Sequence, residues 1–176
     1  MIISVEKAKE LVSFNGWTDE KIKMKLLAVE QTIRAYTNNN FQDRGYRAKA
    51  NVTESGIVLE ALVPLSAGDT VQIGEAQLCN GLYNVVAVDG KTITVSENLC
   101  AEENVLVTKV VYPADVIACA VNLLEWEVNN RAKVGVQSET LSRHSVTYFN
   151  MDGANNVMGY PVSLLGCLKA YRKARC

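Results

Sequence analysis

The sequence predicts an α+β fold: a helical core of about four helices carrying an inserted antiparallel β subdomain, small and barrel- or sandwich-like. Three observations predict it. Apolar residues recur at helical spacing near both ends of the chain. The period changes to two between Val52 and Tyr112, where turn residues punctuate short β-rich runs. An unusually apolar helix pattern, Pro113 to Ala132, then follows directly.

Ser4 caps a first helix from Val5 to about Phe14, which Asn15-Gly16 ends. Thr18 caps a second, with Asp19 and Glu20 in its first turn. Its seam is Ile22, Leu26, Val29, Ile33 and Tyr36, and Thr37 to Asn40 stops it. Gln42 to Asn51 is polar and basic (Arg44, Arg47, Lys49) and reads as a mobile connection. The β region then offers Ile57–Leu59 with Ala61–Val63, Val71 with Ile73, Leu82–Val88, Ile93 with Val95, and Val105–Tyr112. Asp89-Gly90 fits a two-residue type I′ hairpin turn. Residues 52–112 therefore read as an insertion between a helical 1–51 and 113–176.

Pro113 suits the first turn of the next helix, and Asp115 complements its dipole. Ile117, Ala120, Val121, Leu124 and Val128 form one face, which Val116, Cys119, Leu123 and Trp126 widen. Asn122, Glu125 and Glu127 are left for water. A helix so apolar is covered on several sides, and part of that cover can be a neighbouring subunit. Beyond it, Ser145–Phe149 has strand propensity but no hairpin partner, and a lone strand leaves its backbone to be received by another edge. Tyr160-Pro161 opens a last helix with Leu164, Leu165, Leu168 and Tyr171 on one side and a basic end of Lys169, Arg172, Lys173 and Arg175.

With 176 residues the chain can bury roughly 70% of its unfolded surface, so neither metal nor disulfide is required for folding. A net charge of −1 argues against a dedicated nucleic-acid binder. The start, MIISVEKAKELV, lacks a signal-peptide core, and no apolar stretch reaches the length of a membrane span. Five cysteines, odd in number and never spaced C-x-x-C, point to a reducing compartment. The single histidine, His144, makes a zinc site improbable. Ser142, His144 and Ser145 are neighbours on one extended segment without an orienting third group, so they make no nucleophile constellation. Phosphate-loop, dinucleotide, zinc-protease and nucleophile-elbow signatures do not occur. No enzymatic activity, metal or cofactor is expected.

Three groups of residues carry a resemblance. They are Gly135 to Tyr148 (GVQSETLSRHSVTY), Gly159 to Arg175, and the β stretches Gly68–Val71, Asn80–Tyr83 and Thr92–Val95. Together with the element order they resemble the head–tail connector (adaptor, head-completion) proteins of long-tailed bacteriophages and prophages. The resemblance implies a structural virion protein at the head–tail junction, made in the bacterial cytoplasm. Its copies would form a ring, commonly of about a dozen, joining portal protein to a downstream connector or tail protein and passing genomic DNA without specific binding. No membrane or cofactor is involved. The residues this makes candidates for subunit or partner contact are Arg143, Ser145, Val146, Thr147, Tyr148, Phe149, Lys169, Arg172, Lys173 and Arg175. Two alternatives stay open: a nucleic-acid-binding module using the β insert, and an enzyme whose site has no sequence motif.

Overall fold

The structure, a computed structural model, describes residues 1–130, 136–140, 145–148 and 156–174, the two middle stretches as backbone strands only. It divides into two compact units, residues 1–4 with 39–113 and residues 5–38 with 114–176.

The first unit is built on six antiparallel strands: β1 (Gln42–Thr53), β2 (Gly56–Leu59), β3 (Thr70–Gly74), β4 (Gly81–Asp89), β5 (Thr92–Val95) and β6 (Glu102–Val110). They close in the order β1-β2-β5-β4-β3-β6. Ala50, Ile57, Val71, Ile93 and Val105 are fully buried inside, so a barrel this small is filled by side chains and is no channel. Closure relies on Gly56, whose φ of +154° lets β2 approach β5: a Cβ there would stand 2.6 Å from the Ile93 carbonyl oxygen.

This architecture corrects the expected fold class. The β region is larger than the small insert expected and is no sandwich; it is a closed six-stranded barrel that is a compact unit in its own right. The error began at Gln42–Asn51, read as a mobile connection and found as the longest strand. Ala48, Ala50 and Val52 point inward between outward Arg47, Lys49 and Asn51, a period-two pattern that alanine's neutral hydropathy conceals. Ala61–Val63 is not a strand, and β2 stops at Leu59. The hairpin turn is displaced by one residue. Asp89 pairs with Thr92, leaving Gly90-Lys91 as the loop, and only Gly90 has positive φ, the sign pattern of a type II′ turn.

The second unit contains α1 (Val5–Leu11), α2 (Asp19–Thr37), α3 (Ala114–Asn130) and a terminal 3-10 helix, Val162–Tyr171, found where an α-helix was expected. Thr18 caps α2 by accepting from the Lys21 N–H, and Asn38 closes it in the left-handed conformation (φ 48°). Ile22, Leu26, Val29 and Ile33 of α2 are buried, as are Val116, Cys119, Ala120, Leu123 and Leu124 of α3 and Leu165 and Leu168 of the 3-10 helix. Ile117, Val121 and Val128 on α3 are only half-buried. Strand β7 (Val136–Thr140) pairs antiparallel with β8 (Ser145–Tyr148), and β9 (Asn156–Val157) with β10 (Tyr160–Pro161). The segment expected as a lone strand therefore has a hairpin partner, missed because V-Q-S-E-T reads as a polar linker.

Candidate interaction surfaces

Glu127 was expected to face water, yet it is 3% exposed. One carboxylate oxygen accepts from Lys25 Nζ of α2 at 2.9 Å, and the other accepts from the Tyr160 hydroxyl at 2.8 Å. Tyr160 also packs on Trp126, centroids 5.4 Å apart. Each carboxylate oxygen thus has a donor, which is what makes the burial tolerable. Beside it an open hollow of about 310 Å³ is lined by Asn122, Glu125, Trp126, Asn129, Asn130 and Leu164. This is a structural brace with an open hollow beside it, and it aligns no nucleophile with a base.

The basic end of the chain is pinned at several points. Arg172 lies over the Tyr36 ring at 5.3 Å, the Lys173 N–H donates to the Thr37 carbonyl at 2.8 Å, and Asn38 Nδ2 donates to the Ala174 carbonyl at 2.9 Å. The Tyr171 hydroxyl donates to the Asp115 carboxylate at 2.7 Å, which raises the tyrosine's pKa. Lys169, Arg172 and Lys173 are exposed. Ser145, Val146, Thr147 and Tyr148 form β8; Arg143, Phe149 and Arg175 lie outside the described residues, as do Ser142 and His144. The candidates thus fall into a ribbon strand and a pinned terminal segment.

Each unit also holds a buried thiol. In the first unit Cys79 donates to Glu102 at 3.3 Å; burial, with that carboxylate second, pushes its pKa up to about 11. Glu102 also accepts the N–H groups of Gln77 and Leu78, which hold its pKa below the usual value. In the second unit the Cys119 and Cys167 thiols both donate to the Leu164 carbonyl, at 3.2 and 3.7 Å, and burial raises the Cys119 pKa strongly. Among the described residues no three His, Cys, Asp or Glu side chains are grouped to hold a metal ion, and no helix is long and apolar enough to cross a membrane.

One surface escaped the sequence reading. The outer face of β1 carries Arg44, Tyr46, Arg47 and Lys49, all exposed, where a mobile connection was expected. The alternation of Ala48, Ala50 and Val52 was the available signal. No family model matches the chain, and no curated protein matches it.

Proposed function

We propose that this chain is a structural virion protein, a head–tail connector whose copies assemble into a ring between portal and tail, complete the head and let DNA pass. In this reading it is not an enzyme and uses no cofactor. Its partners are further copies of itself, the portal protein and the next connector or tail protein, at the head–tail junction of a particle made in the bacterial cytoplasm.

The observation that carries the reading is the β7–β8 ribbon. It is a sheet of two strands with no third strand beside it among the described residues. Two-stranded ribbons are marginal alone in water, and their open edges are sites for a neighbouring chain. Closed rings need two unlike surfaces per subunit. The ribbon offers one, and the terminal segment with exposed Lys169 and Lys173 offers a second, suited to an acidic protein surface. The half-buried Ile117, Val121 and Val128 add apolar area for the same purpose.

Native mass spectrometry of the protein, alone and with portal, tests the reading: ring-sized species are expected with portal. Val146→Pro, which takes a backbone N–H out of β8, should abolish them. Lys169→Glu with Lys173→Glu should weaken portal binding. Arg172 is a poorer choice for reversal because its guanidinium also packs on Tyr36. A monomer at every concentration, with or without portal, refutes the proposal. A second reading, a nucleic-acid-binding module built on the barrel, is favoured by the basic outer face of β1.

A further inference from the structure

The β1 surface is built by an irregularity in the barrel. Gln42 pairs with Val110 and Arg47 with Thr108, so Asp43 to Tyr46 stand opposite Lys109 alone. From Ala48, Ala50 and Val52, parity would send Tyr46 and Arg44 into the barrel interior. The bulge turns them out instead, leaving Tyr46 42% exposed. Asp43 fixes the bulge by accepting the Gly45 N–H at 3.0 Å. Arg47 Nε donates to Thr108 Oγ1 at 3.1 Å, which steadies the guanidinium at its stem side while the residue remains exposed.

Charge is concentrated here too. Acidic residues outnumber basic ones in residues 39–113, yet three of the five basic side chains, Arg44, Arg47 and Lys49 as against Lys91 and Lys109, lie within β1. Lys109 pairs with Asp69 at 2.7 Å, and Lys91 donates to the Glu60 carbonyl at 2.6 Å. Arg44, Arg47 and Lys49 form no ion pair among the described residues. Unpaired cations gathered on one face, with an exposed tyrosine among them, are the side-chain types that contact phosphate oxygens, and tyrosine can also stack on an unpaired base.

We propose that the outer face of β1, comprising Arg44, Tyr46, Arg47 and Lys49, is a sequence-independent contact for the phosphodiester backbone of nucleic acid. This deepens the connector reading, on which it rests only for the reason that DNA is near, by naming the residues that touch the passing polyanion. With so few cations per copy the contact is weak, which suits DNA that must move.

Fluorescence anisotropy of the isolated protein with a labelled DNA duplex, and with one of its single strands, tests it. Binding is expected at low salt, with log K falling against log salt at a slope of about −0.9 per contacted phosphate for the duplex. For three contacts this is roughly a 40-fold loss between 50 and 200 mM salt. The triple variant Arg44→Gln, Arg47→Gln, Lys49→Gln should lower low-salt affinity about tenfold or more and flatten the slope by two to three units. Lys7→Gln with Lys23→Gln, exposed on α1 and α2, should change affinity less than about twofold. Tyr46→Ala weakening only the single strand marks stacking, and weakening both marks a hydroxyl contact to phosphate; either outcome supports the site. Absence of low-salt binding, or equal losses in the triple variant and the α-helical control, overturns the proposal. Because the readout needs neither ring nor portal, failed assembly with intact binding would sink the connector reading alone.

Discussion

Lys25 and Glu127 join α2 to α3 through a 2.9 Å ion pair in which the glutamate side chain is buried and the lysine side chain is about one-third exposed. The asymmetry decides what each substitution does. Removing the lysine takes a cationic donor from a carboxylate that water does not reach, whereas removing the glutamate releases a lysine that can still reach solvent.

Lys25→Met should therefore destabilise the helical unit by at most about 3–5 kcal/mol, less whatever the Tyr160 hydroxyl and the carboxylate's other contacts retain. Replacing the whole set, Lys25→Met with Glu127→Leu and Tyr160→Phe, should recover much of that loss, since a well-packed apolar substitute is often neutral or better. Urea unfolding of both variants measures this. Equal midpoints for Lys25→Met and wild type would contradict the brace.

Gly56 and Gly90 both have positive φ, yet a Cβ meets backbone only at Gly56. Gly90→Ala should cost about 1–2 kcal/mol, the left-handed penalty alone. Gly56→Ala adds a collision with the Ile93 carbonyl oxygen, which neither strand can relieve without parting β2 from β5, and should cost at least about 1 kcal/mol more. Thermal unfolding followed by circular dichroism separates the two. A Gly56→Ala barrel as stable as Gly90→Ala would mean that closure at β2–β5 is looser than described.

How much of this was legible in the sequence follows from what each residue type can signal. The α2 seam was legible because Ile22, Leu26, Val29 and Ile33 are large, apolar and correctly spaced, and all four are buried. Glu127 was not: a carboxylate on a helix pattern reads as solvated, and the groups that help to make its burial tolerable, Lys25 and Tyr160 among them, are remote in sequence. The barrel's extent was hidden by Ala48 and Ala50, which fill the interior of β1 without announcing a hydrophobic face. The same misreading hid the basic surface, because Arg44, Arg47 and Lys49 look like a solvated loop until the strand between them is recognised. The ribbon was half legible, since Ser145–Tyr148 has strand propensity and its partner Val136–Thr140 does not.

The thiols should react in an order set by burial. Cys100 and Cys167 are exposed, whereas Cys79 and Cys119 are buried. At pH 8 a thiol with pKa about 11 is thiolate in only about one molecule in a thousand, and the thiolate is the nucleophile. Iodoacetamide followed by mass spectrometry should find Cys100 and Cys167 labelled first, with Cys79 and Cys119 labelled only as fast as their units open. Native labelling of Cys79 at the Cys100 rate would contradict its packing against Glu102.

Acid should loosen the loop preceding β4 through Glu102. Its folded pKa lies below the ordinary glutamate value because the Gln77 and Leu78 N–H groups and the Cys79 thiol all donate to the ionised form. A depressed folded pKa means that the unfolded chain binds the proton more readily. The contribution is thus fully present above the ordinary glutamate pKa of about 4.3 and is lost as pH falls through the lower, folded value. Glu102→Gln cannot be protonated in this range, so it should start less stable at neutral pH and show a shallower decline on acidification. Denaturant midpoints at neutral pH and across the acid range compare the two proteins. Parallel pH profiles would show that the Glu102 carboxylate does not hold this loop.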